Sequence, residues 1–285
     1  MMTPRFTTFG LVAARDKDDS HLLVPAMDTW LRERGCITVS ESDLREGVPA
    51  DALIALGGDG LMMRMAHSFP GIPLLGINFG KVGFLAMVER SHWEEVLSQI
   101  LAGDFNMQEG PTLAAEVQRA GTIVAQEWAI NDVVVRSGMQ MIDIELYVDG
   151  RYVNTYPGDG MIVASPQGST AYCMAAGGPI ISAGVRGFAI TPISPHSPIR
   201  ATLVVPEESR IEMVVATDRD ASLILDGLDI APLQRNDVVT VRRGDHMFRL
   251  IVTEDMNFYT AVQSKFNYLI RPGAVPSLGH DRNEI

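Results

Sequence analysis

The sequence predicts two domains: an N-terminal α/β domain built on a parallel sheet, followed by a β-rich domain of antiparallel strands. In about the first hundred residues, short apolar runs alternate with segments of helical periodicity, which is typical of a parallel sheet covered by helices. After about Gly110 the hydrophobic period becomes two, which indicates strands with one buried face. We expect the α/β domain at 1–108, the β-rich domain at 109–255 and a C-terminal segment at 256–285, whose tail from about Gly273 is rich in Gly and Pro and is expected to fray.

The composition narrows the class of protein. With 46% hydrophobic and 20% charged residues, a chain of 285 residues can bury a substantial core. The net charge of -12 argues against a general nucleic-acid binder but permits a small phosphorylated ligand at one local site. The sequence shows no signal-peptide run and no apolar stretch of about 18 residues, the length that spans a membrane. The two cysteines, Cys36 and Cys173, are typical of a reduced protein, although a disulfide between them stays open. We therefore expect a soluble cytoplasmic protein that binds neither nucleic acid nor a membrane.

The α/β domain is expected to begin with a buried strand. The apolar run at 9–14 precedes a charged segment, after which Ser20 is placed to cap a helix that continues to Arg34. Gly35 supplies the stop signal of this helix. Alternation then indicates strands at 52–56 and 73–77, a helix at 61–67, and a second helix that begins at the capping box Ser-His-Trp-Glu of 91–94 and ends at Ala102.

The β-rich domain carries strong hairpin signals. At 142–148 apolar and polar residues alternate and lead into Asp149-Gly150, a favoured two-residue turn. Strands at 112–117 and 122–128 flank a second turn at 119–121. The same alternation predicts further strands at 201–205, 210–215, 222–225, 238–242 and 247–252. One helix is expected among these strands, near 170–176.

The sharpest local motif is Gly57-Gly58-Asp59-Gly60, which joins an apolar strand to a helix. Three glycines around one acid allow a tight turn that presents backbone N–H groups at the positive end of a helix. Such a turn can hold phosphate, with Asp59 placed to take a proton from an attacking hydroxyl. The motif matches neither a P-loop nor a Gly-x-Gly-x-x-Gly fingerprint, and a purely structural junction is the competing interpretation. Arg64, one helical turn further on, either reaches the phosphate or is simply solvated.

Two further segments place polar groups in apolar surroundings. Asn131 and Asp132 interrupt a strand-like run, where an amide beside a carboxylate can hold a ribose diol, or can serve its own backbone in a turn. In 158–179 a strand leads through a Pro/Gly turn to Thr170 at a helix start, with Tyr172 as a platform for a base. Simple helix capping is the alternative role for the hydroxyl.

Other catalytic chemistries find no support in the sequence. The six histidines are scattered and form no zinc signature with the cysteines, and no Gly-x-Ser-x-Gly elbow indicates a serine hydrolase. His196 lies in a Pro-flanked loop and is expected to be structural or peripheral to a site.

Together these motifs resemble the NAD kinase family. The correspondence runs from about Ala52 to Phe258 and includes the glycine motif, Leu75-Gly-Ile-Asn78 with Gly83-Phe-Leu85, Asn131-Asp132 and the block from Asp159 to Pro179. The resemblance implies transfer of the terminal phosphate of ATP, or of polyphosphate in some members, to the 2′-hydroxyl of the adenosine ribose of NAD. It also implies a divalent cation, normally Mg²⁺, a cleft between the domains, and a C-terminal segment that returns to the first domain. A homodimer or homotetramer whose sites use residues of neighbouring subunits is implied as well.

The resemblance also implies roles for individual residues. Asp59 is the expected base and Gly60 part of the phosphate cradle, while Asn131 and Asp132 are expected to hold the nucleotide. The further dinucleotide contacts that it implies are Asp159, Thr170, Ala171, Tyr172, Cys173, Met174 and Ala175.

The chain departs from the family pattern at three places, which bear on donor choice and rate. Leu61 follows the glycine motif where the family usually has threonine, and Phe79 stands where a basic residue is frequent, with Lys81 two positions later. Leu228 lies close to a position where some members use glutamine.

Two alternative functions stay open at this level. Lipid kinases of the diacylglycerol or sphingosine type share the glycine motif, but the sequence shows no basic amphipathic stretch for a membrane surface. From another class, a non-catalytic NAD(P)-binding regulator would keep the pocket without turnover, and the hydroxyl lost at Leu61 leaves this alternative open.

Overall fold

The α/β domain has the alternating order that the sequence predicts. The computed structural model describes residues 6–14, 18–80, 83–196, 198–254 and 256–266. Its first elements are β1 Thr8–Ala13, α1 Asp18–Glu33, β2 Ile37–Ser40, α2 Glu41–Arg45, β3 Ala52–Leu56, α3 Asp59–Ser68, β4 Leu74–Asn78, β5 Val88–Glu89 and α4 Trp93–Ala102. The strands are parallel, in the order β2-β1-β3-β4-β5. β3 and β4 are buried throughout because helices pack on both faces of the sheet.

The second part of the chain is mainly antiparallel β-structure. Its strands are β6 Asn106–Arg119, β7 Thr122–Ala129, β8 Asp132–Ser137, β9 Ile142–Val148, β10 Arg151–Gly158, β11 Gly160–Ala164, β12 Gly187–Ile193, β13 Leu203–Pro206, β14 Ile211–Val215, β15 Ala221–Leu225, β16 Leu228–Leu233 and β17 Val238–Val252. A single helical turn, α5 Tyr172–Ala175, interrupts them, and α6 Phe258–Phe266 follows β17. The predicted fold class is confirmed.

One long strand joins the two halves into a continuous sheet. β17 pairs antiparallel with β6 and β14, and its C-terminal part pairs parallel with β4, where Leu250 lies opposite Leu74. The resulting 11-stranded sheet extends from β2 to β10. A six-stranded sheet, β13-β12-β11-β8-β15-β16, packs against its β-rich half, and apolar side chains from both sheets form the core between them.

Several predicted turns are confirmed. Gly35 and Gly103 follow their helices with φ of 80° and 91°, the left-handed conformation in which glycine ends a helix without strain. Asp149 and Gly150 both have positive φ, 52° and 74°, as a type I′ hairpin turn requires. After β17 the chain returns to the α/β domain, where Ala261 of α6 packs into the core.

The two predicted serine caps are wrong. α1 begins at Asp18, before Ser20, and the buried hydroxyl of Ser20 donates to the carbonyl of Ala14 (3.0 Å). At 91–94 a short 3-10 turn precedes α4, so that Ser91 lies against the ring of His92 (3.2 Å) and not against the first N–H groups of the helix. In both places the chain already turns before the serine is reached, and each hydroxyl finds a nearer partner.

Other boundaries also differ from prediction. The strands expected at 238–242 and 247–252 are one strand with a bulge between Arg243 and Met247. The helix expected at 61–67 already begins at Asp59, and the short elements β2 and α2 carry too few residues to show a period. Both cysteines are free thiols, and no helix in the described ranges is long and apolar enough to cross a membrane. Lys81 and the tail expected to fray from about Gly273 lie outside the described residues.

Candidate functional site

The glycine motif forms the turn between β3 and α3. Gly57 donates its N–H to the carbonyl of Ile77 (2.8 Å), and a Cβ there would lie 2.8 Å from the side chain of Leu61. Gly58 is the cap residue of α3 and offers no side chain to the first N–H groups. The turn therefore presents a helix N-terminus to a ligand beside the exposed Gly60, which favours an anion.

The carboxylate of Asp59 is held by three backbone N–H groups of the turn at 83–86. Oδ2 accepts from Phe84 (2.9 Å), and Oδ1 accepts from Leu85 (3.2 Å) and Ala86 (2.9 Å). Asp59 is half-buried at the carboxyl end of the parallel sheet. Its orientation is therefore fixed before any ligand binds.

Two other residues of α3 are engaged elsewhere. Leu61 is buried and packs in the core of the α/β domain, so that the residue in the family's threonine position is here an apolar core side chain. Nη1 of Arg64 donates to Oε1 of Glu41 (2.8 Å), which also accepts from Arg45 (2.7 Å). Arg64 is therefore engaged by α2 and not by the glycine motif.

Asn131 and Asp132 lie where β7 passes into β8, and a third acid fixes their backbone. Asp226 accepts N–H bonds from Ile130 (2.7 Å), Asn131 (2.7 Å) and Asp132 (3.1 Å). It reaches them from the turn between β15 and β16, where its φ is 47°. Sequence reasoning missed Asp226: its Asp-Gly turn signal is visible, but the bonds to a strand more than ninety residues away are not.

Burial makes Asp132 and Asp226 hard to ionise together. It raises the pKa of Asp132 to about 7, and the negative charge of Asp226 adds to this shift. Burial also raises the pKa of Asp226, against the opposite effect of its three N–H bonds. Near neutral pH Asp132 is thus present in part as the acid, which can donate a hydrogen bond as well as accept one.

The raised pKa of Asp132 predicts a pH dependence of stability. Because this pKa lies above the ordinary value of 3.8, the native state holds the proton more tightly, and the resulting stability is present below pH 3.8 and lost as the pH rises through about 7. Asp132→Asn cannot ionise, so we expect its stability relative to the parent protein to grow between pH 4 and pH 8, by at most about 4 kcal/mol. Urea unfolding at both pH values measures the change, and a constant difference would contradict it.

The segment after β11 packs closely against Asn131. The N–H of Ser165 donates to the carbonyl of Asn131 (2.9 Å), and a Cβ on Gly168 would overlap that same carbonyl, so only glycine permits this approach. Oδ1 of Asn131 and both polar atoms of the Gln167 amide are buried without a hydrogen-bond partner within the described structure. Gln167 was not predicted as a site residue. Buried polar atoms without partners are costly, so these groups are candidates to bind a ligand or an ordered water molecule.

The helix predicted near 170–176 is present but shorter than expected, because the chain breaks at Ala171. A 3-10 turn, Gly168–Thr170, is separated from α5 by Ala171, whose φ and ψ are −100° and −123°. The hydroxyl of Thr170 donates to the carbonyl of Gln167 (3.1 Å). Thr170 therefore belongs to the turn beside Asn131 and not to the start of a regular helix.

The remaining residues of this block differ in their exposure. The ring of Tyr172 is half-buried, 5.8 Å from the guanidinium of Arg136. Cys173 is fully buried, with Sγ 3.3 Å from the hydroxyl of Thr191. The other three residues, Ala171, Met174 and Ala175, are partly or fully exposed.

Asp159 lies apart from this group within one chain. It is exposed at the bend between β10 and β11. β11 pairs with β8 so that Ala164, five residues further along the chain, is opposite Asp132. At about 3.3 Å per residue this places Asp159 roughly 15 Å from Asp132, at the other end of the strand pair.

A narrow cleft with an open interior of about 20 Å³ adjoins the turn that holds Asp59. Phe84 and Leu85, from the turn that holds Asp59, form one wall, and Gln167 and Thr170 form another. The rest of the lining is largely apolar and includes Phe248 and Phe258. The structure thus brings the turn that holds Asp59 and the segment around Thr170, which packs against Asn131, to the walls of one cleft.

An oriented acid at the positive end of a helix, next to a largely apolar cleft, is an arrangement that phosphoryl transfer to a nucleotide can use. The fold and the cleft therefore place this protein among the nucleotide-binding kinases. Sequence comparison agrees: residues 34–105 match the ATP-NAD kinase N-terminal domain, and residues 130–253 match the ATP-NAD kinase C-terminal domain. The chain belongs to the NAD kinase family.

Individual relatives support this assignment. The chain is 56% identical over 270 residues to an NAD kinase of Thermomicrobium roseum, with 94% of each chain covered. It is 40% identical over 225 residues to an NAD kinase of Moorella thermoacetica, which covers 77% of this chain and 72% of the relative.

Two solved structures share the fold. Yeast NADH kinase complexed with NADH has a TM-score of 0.82 at 18% identity, covering 97% of this chain and 91% of its own. An NAD kinase from Archaeoglobus fulgidus in complex with ATP has a TM-score of 0.73 at 23% identity, and the match covers 90% of this chain and 98% of that chain.

Proposed function

We propose that this protein transfers the terminal phosphate of ATP to the 2′-hydroxyl of the adenosine ribose of NAD, which yields NADP and ADP. The observation that carries this proposal is Asp59, a carboxylate of fixed orientation at a helix N-terminus. Relatives named NAD kinase, and structural neighbours that contain NADH or ATP, support both substrates.

Asp59 acts as the general base in this proposal. A ribose hydroxyl is a poor nucleophile at neutral pH, so its proton moves to Asp59 as the 2′-oxygen bonds to the γ-phosphorus. The bond from the γ-phosphorus to the bridging oxygen breaks, and ADP leaves. The N-terminus of α3 stabilises negative charge on the phosphates.

The reaction needs a divalent cation, and we propose Mg²⁺. The part of the chain that the structure describes contains no group of three or more His, Cys, Asp or Glu side chains that could hold a metal ion. Mg²⁺ in kinases is bound chiefly by substrate phosphates with one or two carboxylates, so we propose that it enters with ATP and screens the phosphate charge. Either ATP or polyphosphate can serve as the donor in this scheme.

We propose that the adenine of NAD binds against the walls of the cleft beside Asp59. Adenine is attached to the ribose that carries the reacting hydroxyl, so it must lie within a few ångströms of Asp59, whereas nicotinamide is at the far end of the dinucleotide. Phe84 provides an apolar wall for the ring. The unpartnered amide of Gln167 can donate and accept at the edge of the base.

Asn131 is proposed to bind the nucleotide through its unpartnered Oδ1. We expect Asn131→Ala to raise the KM for NAD by about ten- to a hundred-fold with little change in kcat, because one hydrogen bond of roughly 1–3 kcal/mol is lost. Steady-state kinetics with varied NAD at saturating ATP measure this. An unchanged KM would remove Asn131 from the site.

We propose that the protein is a homodimer or homotetramer in which Asp159 reaches the nucleotide bound to a neighbouring copy. The support is that Asp159 is exposed and lies at the far end of the β8–β11 pair from its own Asp132. Two free thiols agree with the proposed cytoplasmic location.

An enzyme-coupled assay tests the proposed function. The purified protein is incubated with NAD, Mg²⁺ and either ATP or polyphosphate, and NADP is detected with an NADP-specific dehydrogenase. Formation of NADP supports the proposal, and the two donors are read separately. Binding of NAD without turnover would indicate the regulator alternative. The lipid kinase alternative is disfavoured by the family assignment, and an assay with diacylglycerol or sphingosine as acceptor tests it directly.

A further inference from the structure

Among the described residues, the turn at 83–86 leaves one acceptor position on Asp59 free. An ionised carboxylate has about four lone-pair positions, two on each oxygen. The N–H groups of Leu85 and Ala86 occupy both positions on Oδ1, and that of Phe84 occupies one on Oδ2. The remaining position, on Oδ2, is therefore the one available to a substrate hydroxyl.

Glycine at position 83 is what permits this arrangement. A Cβ on Gly83 would lie 2.7 Å from Oδ2 and 2.5 Å from Cγ of Asp59, and closer still to Oδ1. The 83–86 turn cannot easily move away from Asp59, because the N–H of Gly83 donates to the carbonyl of Ala86 (3.0 Å) and closes the turn. Any side chain at 83 must therefore displace the carboxylate or open the turn.

We propose that Gly83 is a positioning residue for phosphoryl transfer. Because it has no side chain, the 83–86 turn can approach Asp59 and bind three of its four lone-pair positions, which assigns the proton of the 2′-hydroxyl to Oδ2. This inference rests on the proposed role of Asp59 as the base. The acceptor oxygen is then set by the protein before NAD binds, and the ribose is oriented against a fixed carboxylate.

The Gly83→Ala variant tests this role. We expect kcat to fall at least about tenfold, because misplacing a catalytic group by about 1 Å can cost up to a hundred-fold. The KM for NAD should rise by a smaller factor than kcat falls, because Phe84 shifts with the turn while Asn131 and Gln167 lie on other segments and are unchanged. A kcat within about twofold of the parent value would overturn the proposal.

A matched control separates positioning from loss of stability. In Gly10→Ala, the new Cβ would meet the side chains of Leu53 and Leu44 at 2.5 and 2.9 Å, which crowds the same domain without contact to Asp59. We expect Gly10→Ala to lower the melting temperature while kcat per folded molecule stays within about twofold. An equal loss of kcat in Gly10→Ala and Gly83→Ala would overturn the proposal.

A double-mutant cycle decides whether Gly83 acts through Asp59. In the Asp59→Asn background, Gly83→Ala should lower kcat no further, because the base is already lost. If the factors by which the two substitutions lower kcat multiply in the double variant, Gly83 does not act through Asp59, and the proposal is overturned. If Asp59→Asn alone keeps kcat, the base assignment itself fails, which is seen independently of any Gly83 variant.

Asp59→Glu gives a test that does not depend on the folding of Gly83→Ala. Glutamate keeps the carboxylate but moves it by one methylene away from the three N–H groups. We expect a loss of kcat close to that of Asp59→Asn. A kcat near the parent value would show that a carboxylate suffices without the 83–86 turn, and would overturn the proposal.

Discussion

Replacing Asp59 with asparagine is expected to lower kcat by at least about a hundred-fold, since general-base assistance is typically worth about 10²–10⁴-fold. Asparagine keeps the shape of the side chain but cannot take the proton of the ribose hydroxyl. It also turns an NH₂ group toward one of the N–H donors of the 83–86 turn, so the melting temperature should fall by a few degrees. Steady-state kinetics beside thermal melts with and without NAD measure both effects.

Asp104→Asn is the matched control for this variant. Asp104 is exposed just after α4, and the same chemical change there should leave kcat and the melting temperature unaltered. If Asp59→Asn keeps kcat within a few-fold of the parent protein, Asp59 is not the base. If its activity is lost only because the protein unfolds, the glycine motif is a structural junction.

Asp226→Ala is expected to have the second largest effect, on both stability and binding. It removes the acceptor of three N–H groups at 130–132, which should cost about 3 kcal/mol and lower the melting temperature by about 5 °C. The backbone that carries Asn131 is then no longer fixed, so the KM for NAD should rise at least about tenfold. Calorimetry and kinetics on the same preparation measure the two effects.

Asp149→Ala controls for the turn in which Asp226 lies. Asp149 is also followed by glycine in a hairpin and has a φ of 52°, against 47° for Asp226, but its exposed carboxylate accepts only the N–H of Arg210 (2.8 Å). Both alanines carry the same strain of positive φ. A loss of stability equal to that of Asp226→Ala would show that the turn matters and not the three N–H bonds.

The fold class could be predicted because each half of the chain has its own hydrophobic period. The continuous apolar run of β3 indicates a strand buried on both faces, and the alternation of β9 indicates a strand buried on one face. Turns with positive φ, such as Asp149-Gly150, need particular residue types. The joining of the halves could not be predicted, since it depends on the length of β17 across a bulge. A bulge keeps a strand continuous where the sequence shows a break.

The site was predictable only as separate motifs. Asp59 and Asn131 stand out because a polar residue interrupts an apolar run or a glycine turn. The partners that fix them, the 83–86 turn and Asp226, act through backbone N–H groups far away in the chain, which no residue type marks. The same reason explains why Asp159 could not be placed: exposure at the far end of β11 is a property of strand pairing.

Transfer of label from the γ-phosphate of ATP tests the central claim most directly. The protein is incubated with NAD, Mg²⁺ and ATP labelled at the γ-phosphate, and the position of the label in the product is determined by selective digestion and mass spectrometry. We expect one labelled phosphate on the 2′-oxygen of the adenosine ribose for each ADP formed, and at least about a hundred-fold less in the same time with Asp59→Asn. Label released only as inorganic phosphate, found at another position, or transferred equally well by Asp59→Asn would contradict the assignment of this cleft and of its base.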